Sequence, residues 1–142
     1  GNRVTALESQ EVIFQVVSRG LATYQTYNKQ IEKAMRSIKA VKSDSLTFLK
    51  SQTDHSFDII YADPMFSETI KESENLNAIK PLANGSRLTR EWLDEAKRVG
   101  RERIIIKAHF RDSVFEELGF VRQVRPNQKL HYGVMELIDT EY

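Results

Sequence analysis

One stretch constrains this chain more than any other: Phe57-Asp58-Ile59-Ile60-Tyr61-Ala62, followed by Asp63-Pro64-Met65-Phe66. The apolar, β-rich run around Ile59 and Ile60 predicts a buried strand. Pro64 has no N–H to give to a sheet ladder and biases Asp63 away from helical geometry, so the strand must end at Asp63. A carboxylate, the Pro64 carbonyl and the Phe66 ring are thereby grouped at the carboxyl end of a strand. In open α/β sheets that edge is where ligands bind.

The remaining sequence predicts strands and helices in alternation. Residues 3–7 form a short apolar strand closed by Glu8, and Ser9 offers a helix N-cap with Gln10 and Glu11 in the first turn. Val12, Ile13, Val16, Val17 and Leu21 recur at helical spacing. Residues 23–36 are polar, with Tyr24, Tyr27, Ile31 and Met35 at helical intervals, and predict a second helix or an extension of the first. Its basic residues Lys29, Lys33 and Arg36, near Lys39 and Lys42, make either a solvated face or a phosphate-contacting one. A strand at 38–41 leads to Asp44 and a short amphipathic helix beginning at Ser45.

Residues 67–90 have weak periodicity and read as an irregular connection leaving the Asp63 edge, either a substrate-contacting lid or a plain loop. A helix over 88–99 follows, opened by Thr89 or Ser86, with Leu88, Trp92, Leu93, Ala96 and Val99 on one side and Gly100 as its stop. Ile104-Ile105-Ile106 predicts a strand covered on both faces and ended by Lys107. A short helix over 111–118 closes at Gly119. Strands at 120–124 and 130–138, joined through Pro126-Asn127-Gln128, predict an antiparallel hairpin. Tyr61, Phe57 and Trp92 are most simply core residues.

Several chemistries are disfavoured. His55, His109 and His131 show no metal-ligand spacing, and no cysteine exists to supply a thiolate or a disulfide. There is no G-x-S-x-G elbow and no P-loop. No apolar run approaches the roughly 20 residues of a membrane helix, so no membrane partner is expected, and the lack of cysteine suits a cytoplasmic location. A net charge of +1 leaves any nucleic-acid binding to local patches.

Asp63-Pro64-Met65-Phe66 resembles the Asp/Asn-Pro-Pro-aromatic motif of class I S-adenosylmethionine (SAM)-dependent methyltransferases that modify exocyclic amines. With Met at the third position it looks most like the bacterial small-subunit rRNA guanine-N2 methyltransferases. Residues 4–8, 43–46 and 103–107 resemble that family's second, third and fifth strand regions. The resemblance implies a single α/β domain over 1–142 with a Rossmann-like sheet, mostly parallel and ending in an antiparallel hairpin. It implies SAM as cofactor, held by Glu8, Ser9, Asp44, Ser45 and Asp63. Asp63, Pro64 and Phe66 are the implied catalytic residues, and Met65, Phe66 and Lys107 the implied substrate contacts. No metal is implied.

For Glu8 a capping or solvated role stands beside the ribose-binding one, and Asp44 is equally placed to cap its helix. The implied partner is rRNA or the small ribosomal subunit. Methylation of another planar amine, in DNA or protein glutamine, and a noncatalytic RNA-binding or assembly module are the alternatives. No G-x-G loop is present, so the family's first strand and glycine loop are expected upstream of Gly1. The strands ending at Glu8 and Ala62 would then pair directly or, as the favoured expectation, be completed by a second copy in a homodimer that binds SAM weakly.

Overall fold

A computed structural model describes residues 2–63 and 88–138, in two compact units, 1–48 and 49–142. In the first unit, strand β1 (Thr5–Glu8) leads through helices α1 (Glu11–Thr23) and α2 (Lys29–Ser37) to strand β2 (Lys39–Lys42). β1 and β2 pair in parallel, Thr5 opposite Lys39 and Glu8 opposite Lys42. The helical crossover is what a parallel pair requires, because no tight turn can join two parallel strands.

The polar stretch after residue 23 does not continue the first helix. Asn28 starts a new one, its side chain accepting from Gln30 N at 3.0 Å and Ile31 N at 3.2 Å. Arg36 of α2 then donates to the Leu21 and Tyr24 carbonyls at 2.7 and 2.6 Å, satisfying acceptors that the end of α1 leaves open. Two helices joined by one cation stand where the sequence left one helix or two. Helix α3 (Ser45–Ser51) carries the chain into the second unit.

The second unit holds a four-stranded sheet in the order β3-β4-β6-β5, with β3 Phe57–Ala62, β4 Gly100–His109, β5 Val121–Gln123 and β6 Leu130–Glu136. β3 and β4 are parallel, while β6 runs antiparallel to both β4 and β5. Parallel pairing is therefore confined to β1–β2 and β3–β4 among the described residues, and the expected antiparallel hairpin is present. Within the first unit β1 pairs with β2, and within the second β3 pairs with β4.

The core of this unit lies on one face of the sheet. Helix α4 (Arg90–Val99) buries Trp92, Leu93, Ala96 and Val99, and helix α5 (Val114–Leu118) buries Val114, Phe115 and Leu118. Alternate residues of β4, Ile104, Ile106 and Ala108, meet them. Thr89 caps α4, accepting from Trp92 N at 3.1 Å. Arg98, at the other end of α4, donates to the Leu49 and Gln52 carbonyls at 2.8 Å each and pairs with Asp54 and Glu95 at 2.7 Å each.

Two sequence expectations need correction. β3 is not buried: Ile59 is 50% and Tyr61 53% exposed, because they point to the sheet face that α4 and α5 do not cover, and Phe57 is only half-buried. Ile105 shares that face and is also only half-buried, so β4 is fully covered on one side only. Gly100 ends α4 in an extended conformation and begins β4, whereas Gly119 ends α5 at φ 81°, the left-handed geometry that favours glycine.

Candidate functional site

Asp63 follows the last residue of β3, and Ala62 lies opposite Ile106 of the parallel strand β4. Continuing that register places Asp63 beside Lys107, and their side chains meet, Lys107 Nζ to Asp63 Oδ2 at 3.2 Å. Lys107 in turn lies opposite Tyr132 of β6. Tyr61, two residues before Asp63, projects from the same face. Asp63, Lys107, Tyr61 and Tyr132 thus converge at the carboxyl end of the parallel pair.

The electrostatics follow from this geometry. The hydrogen bond and charge of Asp63 hold the Lys107 ammonium above the ordinary lysine range. Partial burial, and then the Asp63 charge, push the Tyr61 phenol up. Lys107 approaches the carboxylate at Oδ2, and among the described residues no hydrogen bond reaches Asp63 Oδ1. The pair orients the carboxylate as well as balancing its charge.

A pH dependence follows. Because the folded-state pKa of Lys107 is raised, the stability from its pairing is present below the unfolded value of about 10.4 and is lost as pH rises through the folded value. Thermal melts of wild type and Lys107→Met should therefore differ at neutral pH and converge under strongly alkaline conditions. A difference independent of pH would mean that the Lys107 stem, not its charge, carries the effect.

The first unit brings Glu8 and Asp44 to the carboxyl end of β1 and β2. Ser43 N donates to the Glu8 carbonyl at 3.0 Å, fixing the two strand ends together. Glu8 Oε1 accepts from Gln10 N at 3.0 Å, and Oε2 has no hydrogen bond among the described residues. The residue preceding α1 is Gln10, so Ser9 is not the cap; the Glu8 carboxylate takes the N–H that the expected cap would have left. Asp44 Oδ2 accepts from Thr47 N and Oγ1 at 3.1 and 3.2 Å, the capping role open to it, while Oδ1 faces no partner among the described residues. Ser45 is the first residue of α3.

Each acid therefore has one oxygen used by the backbone and one available. This donor-seeking pair at a parallel-strand edge suits the hydroxyls of a ribose and the amino group of an adenine. The residues present fit an adenosine-bearing cofactor on that ground.

Pro64, Met65 and Phe66 lie outside the described residues, as does most of the 67–90 connection. Tyr61 and Tyr132 were not legible as site residues. Tyr61 reads as a core aromatic in a β-rich run, and Tyr132 becomes its neighbour only through the β4–β6 register. The one available signal was alternation, since Tyr61 and Asp63 must share a strand face. Among the described residues no cluster of metal-ligating side chains occurs, and no helix is long and apolar enough to cross a membrane.

Residues 1–126 match the family model described as "Putative SAM-dependent methyltransferase". The chain is similar to "Uncharacterized protein YpiP" of Bacillus subtilis, 32% identical over 133 residues, which is 94% of this chain and 52% of that protein. It spans about half the length of that relative. A solved structure, a "putative methylase" from Haemophilus influenzae, superposes with a TM-score of 0.55 at 13% identity, over 98% of this chain and 74% of the other. That likeness is one of fold.

Proposed function

The chain belongs to this SAM-dependent methyltransferase family, and from that premise we propose that it serves methylation of an exocyclic amine, guanine N2 of small-subunit rRNA. The observation that carries the reading is the Asp63 carboxylate at the carboxyl end of β3, paired with Lys107 at 3.2 Å. When bound, SAM supplies an electrophilic methyl group on a sulfonium, and the protein must position and polarise the acceptor. Glu8 and Asp44 are the residues that would hold its ribose and adenine, with Ser9 and Ser45 beside them.

The acceptor side is the task of Asp63. A guanine amine is a poor nucleophile because its lone pair is delocalised into the ring. A hydrogen bond from that amine to Asp63 Oδ1, with a second to the Pro64 carbonyl, holds the nitrogen in a more nucleophilic geometry. The carboxylate also stabilises positive charge growing on the nitrogen and can take its proton. Lys107 acts through Asp63: its ammonium fixes Oδ2, so the carboxylate does not rotate away from the amine. Phe66 is the stacking platform that the motif resemblance assigns, and the base must be unpaired or flipped out to reach it.

Tritiated methyl transfer from SAM by the whole protein to small ribosomal subunits, followed by nucleoside analysis, tests the reading. N2-methylguanosine is the expected product, and label on protein alone would overturn it. For the cofactor contacts, Glu8→Ala is expected to raise the SAM dissociation constant about tenfold, the equivalent of losing a charge-assisted hydrogen bond of about 1.5 kcal/mol. Isothermal titration showing unchanged affinity would remove Glu8 from the cofactor site.

A further inference from the structure

The corner between α1 and α2 carries side chains that the proposed methyl transfer does not use. Residues 12–43 hold six basic residues, Arg19, Lys29, Lys33, Arg36, Lys39 and Lys42, against one acid, Glu32, in a chain whose net charge is +1. Glu32 does not cancel them: its side chain is 16% exposed, accepting from Thr26 N at 3.0 Å and pairing with Lys29 at 3.1 Å. Lys29 still leaves 84% of its side chain to solvent. Lys42 is paired with Glu11, while Arg19, Lys33 and Lys39 are exposed and have no ion pair among the described residues. Lys29, Lys33 and Arg36 fall at helical spacing on one side of α2, and Lys39 follows at the start of β2.

The same corner is aromatic. Tyr27 is fully exposed and Tyr24 is 61% exposed. Neither ring sits on a loose turn. Glu32 accepts from Thr26 N, Asn28 N donates to Thr26 Oγ1 at 3.3 Å, and the Asn28 side chain caps α2, so the backbone is pinned on both sides of Tyr27. Arg36 donates to the Tyr24 carbonyl at 2.6 Å, which ties the basic side of α2 to the second aromatic residue. This surface is separate from the edge that carries Glu8 and Asp44. Lys39 N donates to the Val4 carbonyl at 2.9 Å, at the amino ends of β1 and β2, whereas the two acids lie at their carboxyl ends. Helix α1, 13 residues and about 20 Å long, leads from those carboxyl ends to the corner.

We propose that the α1–α2 corner docks a single-stranded stretch of the RNA substrate, with phosphates against Lys33 and Lys39 and an unpaired base on Tyr27. The inference rests on the RNA-methylating reading and adds to it a contact away from the Glu8 and Asp44 edge. Clustered cations whose one neighbouring carboxylate is already used match a polyanion. The presented rings favour RNA over an acidic protein segment, which offers no face to stack. They favour it over a membrane surface as well. Ile31 is the one large apolar residue that α2 exposes, far short of the apolar face an interfacial helix buries.

The test is fluorescence anisotropy of the whole protein with a short labelled single-stranded RNA, without SAM, over a range of salt. Lys33→Ala/Lys39→Ala should raise Kd about tenfold and lower the slope of log Kd against log salt by about 1.4, two contacts at about 0.7 each for a single strand. Lys33→Arg/Lys39→Arg should keep both affinity and slope. Tyr27→Ala should weaken binding about tenfold at unchanged slope, and Tyr27→Phe should not weaken it. Unchanged affinity and slope in the double alanine variant would overturn the proposal. So would a polyglutamate peptide, or vesicles of anionic phospholipid, displacing the labelled RNA as well as unlabelled RNA does. RNA binding that follows Lys33, Lys39 and Tyr27 without any methyl transfer to RNA would uphold this surface and defeat the methylation reading. Methyl transfer to RNA with a KM indifferent to all three residues would do the reverse.

Discussion

Asp63→Ala is expected to lower methyl transfer by on the order of 10²-fold or more, the usual scale for losing a group that stabilises charge or accepts a proton in the transition state. The SAM dissociation constant should change far less, because the ribose and adenine contacts are assigned to Glu8 and Asp44. Asp63→Asn keeps an acceptor but loses the charge that pairs with Lys107 at 3.2 Å, so it should fall between wild type and alanine. Lys107→Met should also slow transfer, but only while Asp63 is present. In the Asp63→Ala background the lysine has no carboxylate to orient, and its removal should cost little more. Independent losses from the two sites would give Lys107 a role of its own at the substrate. Wild-type turnover in Asp63→Ala would exclude the acid from the chemistry.

That the strand stops before Asp63 was legible because Pro64 dictates it, and a proline's effect on its neighbour is local. The strand end at Glu8, the cap at Thr89 and the left-handed Gly119 were legible for the same reason: each rests on a few adjacent residues. The strand expected to stop at Lys107 instead runs to His109, because Ala108 and His109 pair with His131 and Leu130 of β6. What could not be read depends on pairing between distant segments. The Asp63–Lys107 contact needs the β3–β4 register, and the place of Tyr132 needs the β4–β6 register; 44 positions separate the first pair in sequence. The exposure of Ile59 and Tyr61 was missed because an apolar run announces a strand without saying which of its faces a helix will cover. The separate start of α2 at Asn28 hid in a polar stretch whose periodicity spans the break. At Glu8 and Asp44 the competing readings proved compatible in geometry, since one oxygen of each acid serves the backbone and the other does not.

The largest stability effect is expected at Phe115, where the helix-covered face of the sheet meets α5. The side chain is fully buried, and the Arg122 guanidinium lies 4.5 Å from its ring centroid. The ring fits because Gly133 of β6 has no side chain: a Cβ there would come within 2.8 Å of Phe115 Cε1 and 3.0 Å of Phe120 Cβ. Phe115→Ala removes the ring and leaves a cavity walled by a strand backbone that cannot collapse into it, so a loss of about 3–5 kcal/mol is expected. Gly133→Ala puts a methyl into the ring's space and should cost about 1–3 kcal/mol through forced displacement of Phe115. The two changes are then opposite errors at one contact. The methyl of Gly133→Ala occupies part of the space vacated in Phe115→Ala, so the double variant should lose less than the sum of the single losses, by about 1 kcal/mol or more. Urea denaturation of the four proteins, compared through their midpoints and slopes, measures this. A strictly additive double variant would show that Phe115 does not depend on the missing side chain at Gly133. A neutral Gly133→Ala would show that the sheet yields at that strand, and the expected cost of Phe115→Ala would then shrink as well, because a yielding wall closes the cavity.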